Sequence, residues 1–145
     1  MSKIKPTYIT FEQAKLFKEK GFDEETDTYF LEKDNIQFSN ISWGITQRKR
    51  LINSDFKEHN INSCSRPEQW QVLEWLLLNH RLDIIVKYPE SKTNRVEGIN
   101  SVYYDLEIYK LDGGDAWKLY RFKQCSDKKQ EVYSAAFDYI LKELI

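Results

Sequence analysis

The most informative segment for the fold is Ser101–Lys123, SVYYDLEIYKLDGGDAWKLYRFK. Aromatic and β-branched residues are frequent on both sides of the turn sequence Asp112-Gly113-Gly114-Asp115. We therefore predict two antiparallel strands, Ser101 to Leu111 and Ala116 to Lys123, joined as a hairpin.

The register of this hairpin depends on its turn. A two-residue turn pairs Tyr109 with Lys118, whereas a three-residue turn with a bulge pairs Tyr109 with Trp117 and Asp105 with Arg121. We prefer the three-residue turn because of the side chains that it places on one face. These are Tyr104, Leu106, Tyr120 and Phe122.

The elements that flank the hairpin are a strand and two helices. The helix begins after Ser65, which caps it, has Pro67 in its first turn and ends at about Asn79. The strand follows from Leu82 to Tyr88 and ends before Pro89. Asp127 with Gln130 caps a terminal helix. The middle helix has a broad apolar stripe at Trp70, Leu73, Leu76 and Leu77, which Val72, Trp75 and Leu78 widen. The terminal helix has one at Tyr133, Ala136, Phe137, Ile140 and Leu144.

The N-terminal part predicts a helix and a hairpin. Thr10-Phe11-Glu12-Gln13 has the form of a capping box, so we place a helix at about 11 to 20, with Gly21 at its end. Tyr29-Phe30-Leu31 and Ile36-Gln37-Phe38 form a hairpin, and a third short strand follows at Ile41 to Thr46. From Gln47 to Ser65 the chain has no sustained apolar period.

The predicted order is α-β-β-(β)-α-β-β-β-α. Hairpin-linked strands with helices between them are typical of an α+β fold, with antiparallel sheets and three helices. A chain of 145 residues without a linker or repeat is expected to form a single domain over residues 1–145.

Composition excludes several classes of protein. The chain has 22 Lys and Arg residues against 23 Asp and Glu residues, and no apolar run is long enough for a membrane span. The N-terminal sequence lacks the apolar stretch of a signal peptide, so we expect a cytoplasmic protein with reduced cysteines and no membrane partner.

Enzymatic signatures are lacking from the sequence, which contains no phosphate-binding glycine loop, nucleophile elbow or paired zinc motif. We therefore expect no catalytic residues, metal or cofactor, and no enzyme. Two weaker alternatives remain. Asp105 and Glu107 share a strand face and could act as general acid and base. Zinc could in principle take four soft ligands, His59, Cys64, His80 and Cys125.

Nucleic-acid binding is the alternative function. Pro67 to Leu144 has the order helix, three strands, helix, and Ser126-Asp127-Lys128-Lys129 precedes an alanine-containing helix. This half resembles the double-stranded-RNA-binding domain, which implies phosphate contacts by lysines at the start of the closing helix. The nearly neutral charge of the chain disfavours such binding. The candidate contacts are Arg48, Lys49, Arg50, Lys128 and Lys129.

Three short segments carry a second resemblance. The first is Ile9-Thr10-Phe11-Glu12-Gln13-Ala14-Lys15-Leu16-Phe17-Lys18-Glu19-Lys20-Gly21-Phe22, the second runs from Pro67 through Gln71-Val72 to Trp75-Leu76 and His80, and the third is Tyr133-Ser134-Ala135-Ala136 in the last helix. Together they resemble small uncharacterised proteins of bacteriophages, prophages and mobile elements of gut bacteria. The resemblance implies an α+β fold and a phage-like or mobile-element origin, and it transfers no catalytic residue.

Four tryptophans and nine tyrosines exceed what a core of this size needs. Because aromatic side chains are enriched at protein interfaces, we expect a non-enzymatic accessory protein that binds an unidentified protein partner or associates with itself. The candidate interaction surface comprises Trp43, Tyr103, Tyr109 and Trp117.

Overall fold

The computed structural model describes residues 5–33, 36–39, 52–54, 63–88 and 103–145. Helices span Phe11–Glu19 (α1), Gln69–His80 (α2) and Lys129–Glu143 (α3). Strands span Tyr29–Lys33 (β1), Ile36–Ser39 (β2), Ser63–Ser65 (β3), Leu82–Lys87 (β4), Tyr104–Asp112 (β5) and Asp115–Ser126 (β6). This order, with its antiparallel strand pairs, confirms the predicted α+β class.

The chain divides into two compact units, Met1–Gln69 with Ile145 and Trp70–Leu144. Among the described residues, the first unit holds a sheet of order β2-β1-β3 and the second a sheet of order β4-β5-β6. The single domain stays a prediction.

Helix α1 has the two ends that its sequence predicts. The Thr10 hydroxyl accepts a hydrogen bond from the Gln13 amide at 3.2 Å, and the Gln13 side chain accepts one from the Thr10 amide at 3.1 Å. At the other end Gly21 has a φ of 92°, and the Phe22 amide donates to the Phe17 carbonyl at 2.9 Å. This is a Schellman ending, and it brings two buried phenyl rings to the same side of the helix end.

The first sheet is built on the predicted hairpin of β1 and β2. Lys33 pairs with Ile36, so two residues connect the strands. The third strand is β3, which pairs with β1 from Tyr29 to Leu31. The strand predicted at Ile41 to Thr46 lies outside the described residues. Strand β3 was not predicted, because Ser-Cys-Ser has no apolar alternation and owes its conformation to pairing with a distant strand.

The predicted start of the second helix is wrong. Ser65 is not a helix cap but the last residue of β3, paired with Tyr29. The chain then stays extended, since the Ile9 amide donates to the Pro67 carbonyl at 3.3 Å and the Gln69 amide donates to the Thr7 carbonyl at 2.8 Å. These backbone bonds outweigh the local helix signal, and α2 begins only at Gln69.

The predicted apolar stripe of α2 is partly wrong. Val72, Trp75 and Leu76 are buried, whereas Trp70 is 56% exposed and Leu77 is 38% exposed. The helix is apolar around most of its circumference, so periodicity alone does not determine which side faces the core.

The second sheet contains the hairpin of β5 and β6. Asp112 pairs with Asp115 across Gly113 and Gly114, which both have positive φ, so the turn has two residues and the preferred three-residue turn is wrong. Tyr109 accordingly pairs with Lys118. A bulge at Leu119 then shifts the register and restores the predicted common face. That face carries Leu106, Ile108, Tyr120 and Phe122.

Helix α3 packs on this common face, which we call the helix face. It contacts all three strands, and the rings of Tyr120 and Tyr139 stack at 3.9 Å between centroids. The other side of the sheet, which carries Asp105 and Glu107, is called the charged face.

The predicted cap of α3 is wrong. Lys128 occupies the N-cap position without a side-chain cap bond. The Ser126 hydroxyl instead accepts a hydrogen bond from the Lys128 amide at 3.2 Å and donates one to Glu131 at 2.6 Å. Ser126 is in place because β6 extends three residues beyond the predicted end at Lys123.

Candidate functional site

Strand β6 forms one edge of the second sheet and exposes large apolar side chains. Trp117 is 63% exposed, Phe122 is 45% exposed and Leu119 is 42% exposed. We call these three side chains the apolar edge. Trp117 lies opposite Lys110, near the hairpin tip, and Lys110 also forms the last pair of β5 with β4, with Leu82.

The backbone of β6 is irregular at two places. The register shifts at Leu119, and it shifts again opposite Asp105, where Gln124 has a φ of 52°. The Gln124 amide donates to Asp105 Oδ1 at 2.9 Å, which holds this second irregularity in place. Bulges disfavour the addition of another strand to a sheet edge, so we consider the side chains, rather than the backbone, as the part of β6 that a partner recognises.

A cluster of ionic side chains occupies the charged face. Glu107 is 1% exposed, and its Oε1 lies 3.1 Å from Lys87 Nζ, 3.0 Å from Lys118 Nζ and 3.5 Å from Arg121 Nε. Arg121 Nη2 lies 3.4 Å from Asp105 Oδ2. The cations come from β4 and β6, which flank the strand of the carboxylates, so the antiparallel register brings them together.

The ionisation of Glu107 follows from these contacts. Burial alone raises its pKa, but the hydrogen bonds that the carboxylate accepts lower the pKa to about 2. The hydrogen bond to Glu107 in turn raises the pKa of Lys118. A carboxylate held ionised to such low pH is a poor proton acceptor or donor at neutral pH, so the contacts of Glu107 argue against the acid–base role considered for it.

Two of the four aromatic residues proposed from the sequence, Tyr109 and Trp117, lie on opposite faces of the second sheet. Trp117 is exposed and Tyr103 is 43% exposed. Tyr109 is half-buried on the charged face, where its hydroxyl donates to Glu107 at 2.7 Å. Trp117 lies on the opposite face, and Trp43 lies outside the described residues.

The proposed nucleic-acid contacts are only partly described. Lys128 is exposed and lies 3.6 Å from Glu131, and Lys129 Nζ lies 5.5 Å from the centre of the Tyr104 ring. Lys128 thus forms an ion pair, and Lys129 a contact with an aromatic ring, within the second unit. Arg48, Lys49 and Arg50 lie outside the described residues.

The chain matches no protein family, no curated protein and no solved structure. The phage-like or mobile-element origin therefore stays a prediction.

The candidate zinc ligands that the structure describes do not form a metal site. No group of three or more His, Cys, Asp or Glu side chains in the described part of the chain is placed to hold a metal ion. The His80 ring lies 4.6 Å from that of Trp75, between centroids, at an angle of 59°, and partial burial lowers the pKa of His80. Burial raises the pKa of the Cys125 thiol. Cys64 is buried, and His59 lies outside the described ranges. Likewise, none of the described helices is long and apolar enough to cross a membrane.

The exposure of Leu119 and Phe122 was not predicted from the sequence. Phe122 was assigned to the common apolar face, which is correct, but its position on an edge strand leaves it partly exposed. The segment Trp117-Lys118-Leu119-Tyr120-Arg121-Phe122-Lys123, in which aromatic and cationic residues are interleaved, is a signal that could have drawn attention to this strand.

Proposed function

We propose that this chain is a non-enzymatic protein-interaction module that binds a partner protein through the apolar edge of β6. The exposure of Trp117, at 63%, is the observation that carries the proposal. Tryptophan contributes more binding energy at interfaces than most residues, and exposing so large an apolar surface to water is unfavourable. Phe122 and Leu119 enlarge the apolar surface along the same strand.

The cellular setting of this module is part of the proposal. The resemblance of its N-terminal and helical segments to phage and mobile-element proteins supports an accessory role in the cytoplasm of a bacterial host. Nothing in the proposed binding function requires a cofactor or a catalytic group.

A capture experiment with two tryptophan variants tests the proposal. Trp70 on α2 is 56% exposed, so Trp70→Ala is a matched control for Trp117→Ala. Tagged wild-type protein and both variants are incubated with bacterial lysate with and without nuclease treatment, and light scattering on the pure proteins measures self-association. We expect a nuclease-resistant protein partner that Trp117→Ala loses and Trp70→Ala retains.

Three outcomes contradict the proposal: no retained protein, equal loss in both variants, and capture that disappears on nuclease treatment. A stable homo-oligomer that Trp117→Ala dissociates would identify a second copy of the chain as the occupant instead.

Nucleic-acid binding is the second candidate function. The interleaved aromatic and cationic residues of β6 favour it, because bases stack on aromatic rings while cations neutralise phosphates. Nucleic-acid binding would be identified by an affinity for single-stranded oligonucleotides that falls steeply as the salt concentration rises.

A further inference from the structure

Strand β4 forms the other edge of the second sheet, opposite β6. It pairs with β5 in continuous register over its six residues, Leu82–Lys87, whereas β6 has two register shifts. A regular edge strand presents unpaired backbone groups to which another strand can be added, and a bulged edge strand does not. The backbone of β4 is therefore suited to pairing with a further strand.

The hydrogen bonds to β5 determine which backbone groups of β4 face outward. The Leu111 amide donates to the Arg81 carbonyl at 2.9 Å, and residues along an antiparallel ladder alternate between hydrogen-bonded and non-hydrogen-bonded positions. The amides and carbonyls of Leu82, Ile84 and Val86 therefore point away from β5. Within the described residues, no other strand lies beside them, so they are the groups that an added strand would bind.

The side chains of β4 indicate which strand that is. Asp83, Ile85 and Lys87 alternate along the charged face. Ile85 is apolar and yet 38% exposed, and it lies midway between two residues of opposite charge. A strand with this order of side chains is complementary to an identical strand that runs in the opposite direction.

From this juxtaposition we infer that β4 pairs antiparallel with β4 of a second copy of the chain, about a two-fold axis at Ile85. The register places Asp83 opposite Lys87 of the partner subunit, and the two-fold axis repeats this pair. The two Ile85 side chains face each other at the axis. On the helix face Ile84 lies opposite Val86 of the partner subunit, and the outward backbone groups of these residues exchange hydrogen bonds. The two sheets become one continuous sheet of order β6-β5-β4-β4-β5-β6.

The carboxylate of the second copy also balances the ionic cluster of the charged face. That cluster has more cations than carboxylates, namely Lys87, Lys118 and Arg121 around Asp105 and Glu107. Lys87 Nζ lies 3.1 Å from Glu107, and the Lys87 side chain remains 33% exposed. Since an ammonium group has three donors, Lys87 can bind Glu107 and the partner's Asp83 together.

Sedimentation equilibrium of the full chain tests the dimer. We expect a mass of twice 17.4 kDa at high protein concentration. Asp83→Lys replaces both ion pairs across the axis with like-charge pairs, so it should weaken dimerisation at least about tenfold. Ile85→Lys places two lysines at the axis and should have a similar effect. Leu119→Lys is the matched control for Ile85→Lys, because Leu119 is 42% exposed on the opposite edge of the sheet. Thermal unfolding verifies that each variant folds.

A cysteine at the axis tests the register. Opposed residues in a non-hydrogen-bonded antiparallel pair have Cα atoms about 4.5 Å apart, which is within the range of a disulfide. Oxidation of Ile85→Cys by glutathione disulfide should therefore give a cross-linked dimer on a non-reducing gel. Leu119→Cys and the wild-type chain, treated in the same way, should remain largely monomeric on the gel.

Three results would overturn the inference. They are a mass of 17.4 kDa at every concentration, equal weakening by Ile85→Lys and Leu119→Lys, and equal cross-linking of Ile85→Cys and Leu119→Cys. The inference uses the edge opposite β6 and does not rest on the proposed function, which fails separately. If Trp117→Ala retains both the dimer and the captured partner, pairing through β4 stands and binding through the apolar edge does not.

Discussion

The Tyr109 hydroxyl donates a hydrogen bond of 2.7 Å to Oε2 of Glu107, two residues earlier on the same strand. Residues two apart on a strand share a face, so the phenol and the carboxylate lie on the same side of β5. Oε1 faces the cations of the neighbouring strands. Both oxygens of a carboxylate that is almost fully buried therefore have partners, which offsets the cost of removing the charge from water.

Removing the carboxylate should destabilise the second unit. Glu107→Gln leaves three cations around a neutral amide, and we expect the free energy of unfolding at pH 7 to fall by about 2 kcal/mol. Urea unfolding measures this loss. Glu143→Gln is the control, because Glu143 forms an exposed ion pair on α3 and should change stability by less than about 0.5 kcal/mol. Similar losses of stability in the two variants would contradict a stabilising role for the ion pairs of Glu107.

The same carboxylate predicts a pH dependence. Its pKa of about 2 in the folded state lies below the ordinary value of 4.5, so the unfolded state binds the proton more readily. The stabilisation is fully present above about pH 4.5 and declines as the pH falls toward 2. Urea unfolding across this range should show a shallower decline for Glu107→Gln than for wild type. If stability falls equally with pH in the two proteins, protonation of Glu107 is not the cause of the decline.

The phenol makes its own contribution to the cluster. Tyr109→Phe removes only the hydroxyl, so we expect a loss of about 1.5 kcal/mol at pH 7 and a rise in the pKa of Glu107. Tyr103→Phe is the control, since Tyr103 is exposed and lies just before β5. NMR titration of the Glu107 side chain would detect the change in pKa, and an unchanged midpoint would refute it.

A buried amide connects two parts of the first unit. Asn53 Nδ2 donates to the Phe22 carbonyl at the end of α1, and its Oδ1 accepts from the Ser65 amide at 2.8 Å. Asn53→Ala leaves both backbone groups without these bonds, and we expect a loss of about 2 to 3 kcal/mol in chemical unfolding.

Ser65→Ala is an informative comparison for Asn53→Ala. Within the described residues the buried Ser65 hydroxyl has no hydrogen-bond partner, so its removal should change stability by less than about 0.5 kcal/mol or increase it. If Ser65→Ala lowers the free energy of unfolding as much as Asn53→Ala does, the hydrogen bonds of the Asn53 amide do not account for the loss.

The glycine that ends α1 has a purely conformational role. Gly21 has a φ of 92°, and a Cβ added there would meet no atom within 4 Å. Gly21→Ala should therefore cost about 1 kcal/mol through backbone strain alone. Gly21→Asn should cost less, because asparagine tolerates left-handed conformations better. Thermal unfolding of the two variants measures the difference, and equal losses would contradict this explanation.

Local signals in the sequence were sufficient where an element depends on its own residues. The capping box at Thr10 and the Gly21 ending fix α1, and the glycine pair of the β5–β6 turn fixes the presence of a hairpin. The same signals were insufficient at Ser65 and Asp127, where a strand pairing and the Ser126–Glu131 hydrogen bond decide the helix start.

The candidate site was predictable only in part. Trp117 was selected from composition and is exposed, whereas Tyr109, selected on the same grounds, belongs to the ionic cluster of Glu107. Composition indicates that a chain has more aromatic residues than its core needs, but it does not indicate which of them are buried.

Local signals were enough to predict the α+β class, the two hairpins and the ends of α1, because caps, turns and apolar periodicity act between residues close in the chain. Tertiary structure alone decided the two-residue turn with its bulge at Leu119, the placement of Lys87, Lys118 and Arg121 around Glu107, and the exposure of the β6 edge. Those features depend on which strands are neighbours and which helix covers which face, and such long-range pairings leave no periodic signal in a single chain segment.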